Sequence, residues 1–168
     1  MNTAEYSLLM NKFYGVATDV LIKTDAYIDK FVGDEVMAVY LPIFAGRQPA
    51  RQAVTAAQEL LNAMGYGDPG GPWLPVGIGV HTGRAFFGTV TGSEGTFSDF
   101  TALGDTVNVA ARIAAAAKPG EALVSDATCA AASLGPTACE LRSLDMKGKS
   151  EPINVRVIMA DAELAEQR

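Results

Sequence analysis

Lys30-Phe31-Val32-Gly33-Asp34-Glu35 sets a cation and an anion four residues apart around a glycine turn, and a Lys and an Asp so placed can serve a nucleotide. The flanking runs, residues 25–30 and 36–41, carry β-favouring side chains, so Gly33-Asp34 reads as a hairpin tip. The same six residues also read as no more than a turn with solvated charges. A second constellation lies further on. With Asp105 as a helix N-cap, Asn108 and Arg112 fall one turn apart on one face, among Val107, Val109, Ala110, Ala111 and Ile113. An amide and a guanidinium there are either a surface stripe or two donors aimed at an anion.

Several elements must position these residues. Leu9, Phe13, Val16 and Val20 recur at helical spacing, which predicts an amphipathic helix over residues 4–23 with Thr3 as its cap. After the hairpin, residues 42–49 read as a loop. Ala50, Ala53, Val54, Ala57, Leu60, Leu61 and Met64 then trace a second helical stripe that ends at Gly65. Residues 65–75 form a Gly- and Pro-rich loop in which Trp73 serves as an anchor. Val76, Ile78 and Val80, a turn at 81–84, and a return over 85–90 predict a second hairpin. Residues 97–103 are extended, residues 105–118 helical, and residues 121–125 a short strand; Asp126 caps a short helix reaching Leu134. A terminal hairpin flanks residues 147–150. Glycines 77, 79 and 83 do not make a dinucleotide fingerprint, because no strand precedes Gly77 and a strand rather than a helix follows. Helices alternating with hairpins give an α+β fold, a mostly antiparallel sheet covered by helices.

Composition narrows the function. The 168 residues are 49% hydrophobic, enough for one sizeable core, and no composition shift marks a second domain. Thirteen basic against nineteen acidic residues leave a net charge of −6, which argues against nucleic acid or an anionic membrane as the partner. Any polyphosphate site must be locally basic. Cys129 and Cys139 form no CxxC pair and suit a reducing compartment. The opening residues lack a signal-peptide pattern and no run of about 18 apolar residues occurs, so a cytoplasmic location is expected. His81, the single histidine, and Arg84 are read as structural.

Taken in order, Lys30-x-x-Gly33-Asp34, then Phe100-Thr101-Ala102-Leu103-Gly104-Asp105-Thr106-Val107-Asn108-Val109-Ala110-Ala111-Arg112, then Leu144-Asp145-Met146-Lys147-Gly148 resembles the class III adenylyl/guanylyl cyclase catalytic domain. The resemblance covers about residues 5–158 and implies a ferredoxin-like nucleotide cyclase fold, with a cyclase domain over 1–160 and a charged tail over 161–168. It implies attack of the ribose 3′-hydroxyl of a nucleoside triphosphate on its own α-phosphorus, with two divalent cations, Mg2+ or Mn2+, as cofactors. By the same resemblance Asp34 is a metal ligand, Asn108 orients the ribose, Arg112 stabilises charge on the phosphorus, and Lys147 holds the terminal phosphates, with Lys149 as a second candidate. Lys30 and Thr101 read the base. A lysine at the ring edge suits the N1 acceptor of adenine, whereas the Thr101 hydroxyl can accept from adenine N6 or donate to guanine O6. ATP is therefore the expected substrate, in a Thr-containing adenylyl subgroup for which bicarbonate sensitivity is a further possibility. Active sites in the family lie between two such domains, so a homodimer is expected, with Lys30 and Asp34 serving opposite sites and regulatory domains in a longer parent.

One part of the pattern is not met. The family's first metal aspartate belongs to a strand upstream of the first long helix, and this sequence opens at that helix. Asp19 and Asp25 lie on or after it, so Asp34 is the one ion ligand the sequence offers. A fragment, a misplaced gene start and a degenerate domain are all open, and an exposed pairing edge is expected in the sheet. Alternative readings are a non-catalytic nucleotide-binding or dimerisation module, a guanylyl cyclase, and a diguanylate cyclase suggested by Gly33-Asp34-Glu35.

Overall fold

Asn2 starts the first helix by a capping box: its side chain accepts the Glu5 amide hydrogen while the Glu5 carboxylate accepts from the Asn2 backbone N–H. The cap is thus Asn2 rather than Thr3, because only a box with Glu5 satisfies two orphan donors together. In the computed structural model, which describes residues 2–91, 98–135, 139–146, 148 and 151–164, helix α1 spans Thr3–Lys23. Its buried stripe is Met10, Phe13, Ala17 and Leu21, rotated slightly from the stripe read in the sequence.

Strands β1 (Tyr27–Val32) and β2 (Glu35–Val39) form the expected antiparallel hairpin. Gly33 takes φ 61° at the first central position of its two-residue turn, a conformation that suits a glycine. The loop expected over 42–49 contains a single helical turn, α2 (Pro42–Ala45), started by Pro42. Helix α3 (Pro49–Ala63) follows and buries Ala50, Val54, Ala57 and Leu61. Trp73 anchors the next loop by donating to the Ala63 carbonyl at 3.0 Å, with the Lys12 ammonium 3.9 Å over its ring.

The second hairpin is not where the sequence placed it. Strand β3 (Ile78–Val80) does not pair with β4 (Phe86–Thr91); it runs parallel to β6 (Ala122–Ser125), while β4 pairs antiparallel with β5 (Ser98–Leu103). Helix α4 (Asp105–Ala116) supplies the reason. It crosses β3 so closely that a Cβ on Gly79 would stand 2.3 Å from the Ala114 amide nitrogen. Gly79 therefore lets a helix lie on a strand, and residues 81–85 carry the chain away instead of turning it back.

Helix α5 (Asp126–Ala131) is capped by Ser125, whose hydroxyl accepts from the Thr128 amide, rather than by Asp126. Strands β7 (Leu141–Leu144) and β8 (Ile153–Ile158) make the expected terminal hairpin. Among the described residues the strands form a four-stranded sheet ordered β3-β6-β8-β7 and two separate hairpins, β1-β2 and β4-β5. All pairings except β3 with β6 are antiparallel. β6 is buried on both faces: Ala122 and Val124 pack with α3 and α5, and Leu123 packs with Val109 and Ile113 of α4. Each fully buried aliphatic side chain there contributes roughly 1.5–3 kcal/mol. No helix is long and apolar enough to cross a membrane among the described residues.

Candidate active site

Lys30 and Thr101, the candidate base-reading pair, come together where the two hairpins meet. Across β1 and β2 the register runs Ile28 to Ala38 and then Lys30 to Met37, which leaves Asp29 as the extra residue of a β-bulge. Regular alternation would send Asp29 and Lys30 to opposite faces. The bulge instead brings both to β5: Lys30 Nζ lies 3.3 Å from Asp99 Oδ2, and Asp29 Oδ2 accepts the Thr101 hydroxyl at 2.8 Å. The same Asp29 oxygen lies 3.5 Å from Lys30 Nζ, and Asp29 Oδ1 accepts the Ala102 amide hydrogen at 3.2 Å. Lys30 and Thr101, 71 positions apart in sequence, are thus joined through one carboxylate. The Asp29 side chain is wholly buried and Thr101 is 3% exposed, while the Lys30 side chain keeps 34% of its surface. Hydrogen bonding to Asp99 holds the Lys30 ammonium protonated above its ordinary range, burial opposes this, and the charge of Asp29 reinforces it.

Behind β5, Gly104 turns the chain into α4 with φ 135°, a value that favours glycine, so Gly104 is the N-cap and Asp105 the first helical residue. Thr106 donates to the Arg84 carbonyl at 2.6 Å and ties the helix start to the segment after β3. Val109 and Ile113 face the core, leaving Asn108 and Arg112 exposed one turn apart. Asn108 is not hydrogen-bonded to the Lys30–Thr101 pair among the described residues.

Asp34 is exposed at the tip of the first hairpin, where the Tyr14 hydroxyl of α1 donates to the Gly33 carbonyl and the Tyr14 and Phe31 rings lie 4.7 Å apart. Among the described residues no three carboxylate, histidine or cysteine groups gather as a metal cage. One exposed carboxylate fits a Mg2+ ion that keeps waters and arrives on nucleotide phosphates, since such ions take only one or two protein carboxylates. It does not by itself fit a two-ion site. Lys147 and Lys149 lie outside the described residues. His81 Nδ1 is 2.8 Å from Ser125 Oγ, beside the α5 cap. A cavity of about 490 Å3 lined by Lys23, Arg47 and Arg51 includes none of the site residues.

Sequence reading missed Asp29 and Asp99. Asp99 follows Lys30 by 69 positions and nothing local pairs them. Asp29 needed a bulge that periodicity does not announce.

Helix-covered hairpins and a four-stranded sheet make an α+β domain in which Lys30 and Thr101 meet at β5, the strand that runs into the helix bearing Asn108 and Arg112. The chain belongs to the adenylate and guanylate cyclase catalytic domain family, whose model matches residues 2–158. It is 29% identical over 177 residues to an adenylate cyclase of Anabaena cylindrica, covering 95% of this chain and 33% of that protein. It is 28% identical over 167 residues to the terminal-differentiation specific adenylate cyclase of Dictyostelium discoideum, covering 95% of this chain and 8% of that protein. The chain therefore spans a third or less of these curated relatives. The crystal structure of the guanylyl cyclase Cya2 superposes with a TM-score of 0.82 at 24% identity, covering 99% of this chain and 88% of that one. That likeness establishes the ferredoxin-like cyclase fold expected from the sequence.

Proposed function

We propose that this chain is an adenylyl cyclase domain that converts ATP to 3′,5′-cyclic AMP and pyrophosphate. The observation that carries the reading is the joining of Lys30 and Thr101 through Asp29, which offers a cationic donor and a hydroxyl side by side. Lys30 donates to adenine N1 and Thr101 meets N6. Asn108 orients the ribose so that its 3′-oxygen faces the α-phosphorus; the new P–O bond forms there as the bond to the β-phosphate oxygen breaks and the hydroxyl proton departs. Arg112, exposed on the same helix face, donates to the phosphorus oxygens as charge accumulates. Lys147 holds the departing phosphates. Asp34 would hold one divalent cation together with the nucleotide phosphates, and that ion supplies positive charge for the triphosphate when bound.

Two copies complete the site, with Asp34 and Lys30 of one chain serving opposite sites. Supporting this, Phe86 pairs with Leu103, Gly88 with Thr101 and Val90 with Asp99 across β4 and β5, so exposed Phe86, Leu103 and Val90 share a face with Thr101 and Asp99. A partner covering that face would dry the base pocket.

The test is cyclic AMP formation from ATP with Mn2+ or Mg2+, alongside the oligomeric state at assay concentration. ATP-dependent cyclic AMP from a dimer is expected. Tight ATP binding with no cyclic nucleotide would leave the second reading, a non-catalytic nucleotide-binding module.

A further inference from the structure

We infer that Asp29 is a specificity-determining positioning residue: by taking the Thr101 hydroxyl proton in a hydrogen bond, it leaves Thr101 only lone pairs to offer a base and so selects adenine over guanine. The inference rests on Lys30 and Thr101 being the base-reading pair. A threonine hydroxyl has one proton. Here it points at Asp29 Oδ2 at 2.8 Å, with the Ala102 carbonyl a longer alternative at 3.4 Å. A carboxylate has no proton to return, and Asp29 already accepts from Ala102 N and faces the Lys30 ammonium. Toward a ligand Thr101 is then an acceptor and Lys30 a donor. Adenine presents the complement, a donor amine at N6 and an acceptor at N1. Guanine presents O6 and N1–H, and both positions clash in polarity. Because Thr101 is 3% exposed, a base edge reaching it sheds its water, and a mismatched polar contact there has no solvent to repair it. The sequence left the direction of the Thr101 hydrogen bond open; the buried carboxylate closes it.

The bulge makes the arrangement specific to position 29. With regular pleating Asp29 would leave β5, and the Thr101 proton would be free to turn toward guanine O6. The Ala102 N–H also fixes what an amide would do. In Asp29→Asn a side-chain carbonyl that keeps the Ala102 N–H turns the NH2 toward Thr101 and toward the Lys30 ammonium, which loses its carboxylate oxygen there. The Thr101 hydroxyl then accepts from that NH2, and its own proton is released to the base.

The experiment compares ATP and GTP for the unaltered chain, Asp29→Asn, Thr101→Ser and Thr101→Val, by kcat/KM for cyclisation and by calorimetric dissociation constants, with melting temperature recorded for each. Asp29→Asn is expected to lower the ATP:GTP preference about tenfold or more, with GTP gaining in absolute terms. Thr101→Ser keeps the preference and Thr101→Val lowers it. Equal losses on both nucleotides in Asp29→Asn, or an unchanged preference in Thr101→Val, would overturn the inference; should Asp29→Asn not fold, the two threonine variants decide it alone. If the unaltered chain binds ATP without cyclising it, the cyclase proposal falls while the binding preferences still test Asp29. If it binds neither base selectively, the inference falls whatever the turnover.

Discussion

Lys30 Nζ and Asp99 Oδ2, 3.3 Å apart, form an ion pair between the first and second hairpins, and Asp29 flanks the same ammonium. A glutamate at position 30 would therefore face two aspartates. Reversing the charge to read guanine is expected to fail as a single change: Lys30→Glu should lower ATP use, bring no matching gain with GTP, and lower the melting temperature. Lys30→Glu with Asp99→Asn should recover part of the stability. Parallel measurements of ATP and GTP turnover and of thermal unfolding check this, and a clean switch to GTP in Lys30→Glu would refute the coupling.

Arg112 is exposed on α4 while the residues that hold the helix, Val109 and Ile113, are buried on the other side. Arg112→Ala should cut kcat by roughly 10²–10³ in protein that remains folded, as removal of one donor to developing charge does. Arg112→Lys should recover only a part, because an ammonium does not reproduce the two-pronged guanidinium. Single-turnover rates and a melting curve separate the two effects.

The elements that position these residues were legible wherever local chemistry decides them. Gly33-Asp34 between β-favouring runs announced its hairpin, and the alanine-rich stretch after Gly104 announced α4. Strand pairing was less legible. A turn at 81–84 looked sufficient to return the chain, yet α4 docks on Gly79 and β3 pairs with β6, a contact 44 residues away that no local signal carries. The same holds within the site. The motifs single out Lys30 and Thr101, but the carboxylate that joins them sits at a bulge, where the period of two fails.

Glu121 and Arg142 form a two-bond ion pair at 2.8 and 2.9 Å, and Glu121 is 8% exposed. The Arg142 hydrogen bonds lower the Glu121 pKa from 4.5 to about 2, against an opposing effect of burial and with help from the Lys118 amide. A carboxyl whose folded value lies below its unfolded one stabilises the fold fully above the unfolded value. That contribution is therefore complete above about pH 4.5 and drains away as pH falls toward 2. Arg142→Met leaves the Glu121 carboxylate without its guanidinium partner and should lower stability at neutral pH. Denaturant unfolding at neutral pH and at about pH 3 checks both. The deficit of Arg142→Met should shrink at the lower pH, and a constant deficit would show that the pair is not its source.

Gly79 links the core to the site. Alanine there would place a methyl 2.3 Å from the Ala114 amide nitrogen and 2.7 Å from its Cα, both backbone atoms that no rotamer change can move aside. The helix must shift, and α4 is the element that carries Asn108 and Arg112 and begins just after β5, close behind Ala102, whose amide hydrogen Asp29 accepts. Gly79→Ala is expected to cost on the order of 1–3 kcal/mol in unfolding free energy. It should also lower kcat in protein that remains folded, since a displacement of about 1 Å at catalytic groups can cost a hundredfold. ATP binding should suffer less than turnover, because Lys30, Asp29 and Thr101 sit on the hairpins rather than on α4. Calorimetric ATP affinity measured beside kcat tests the division: a loss confined to affinity, with turnover intact, would show that α4 does not carry the reacting groups.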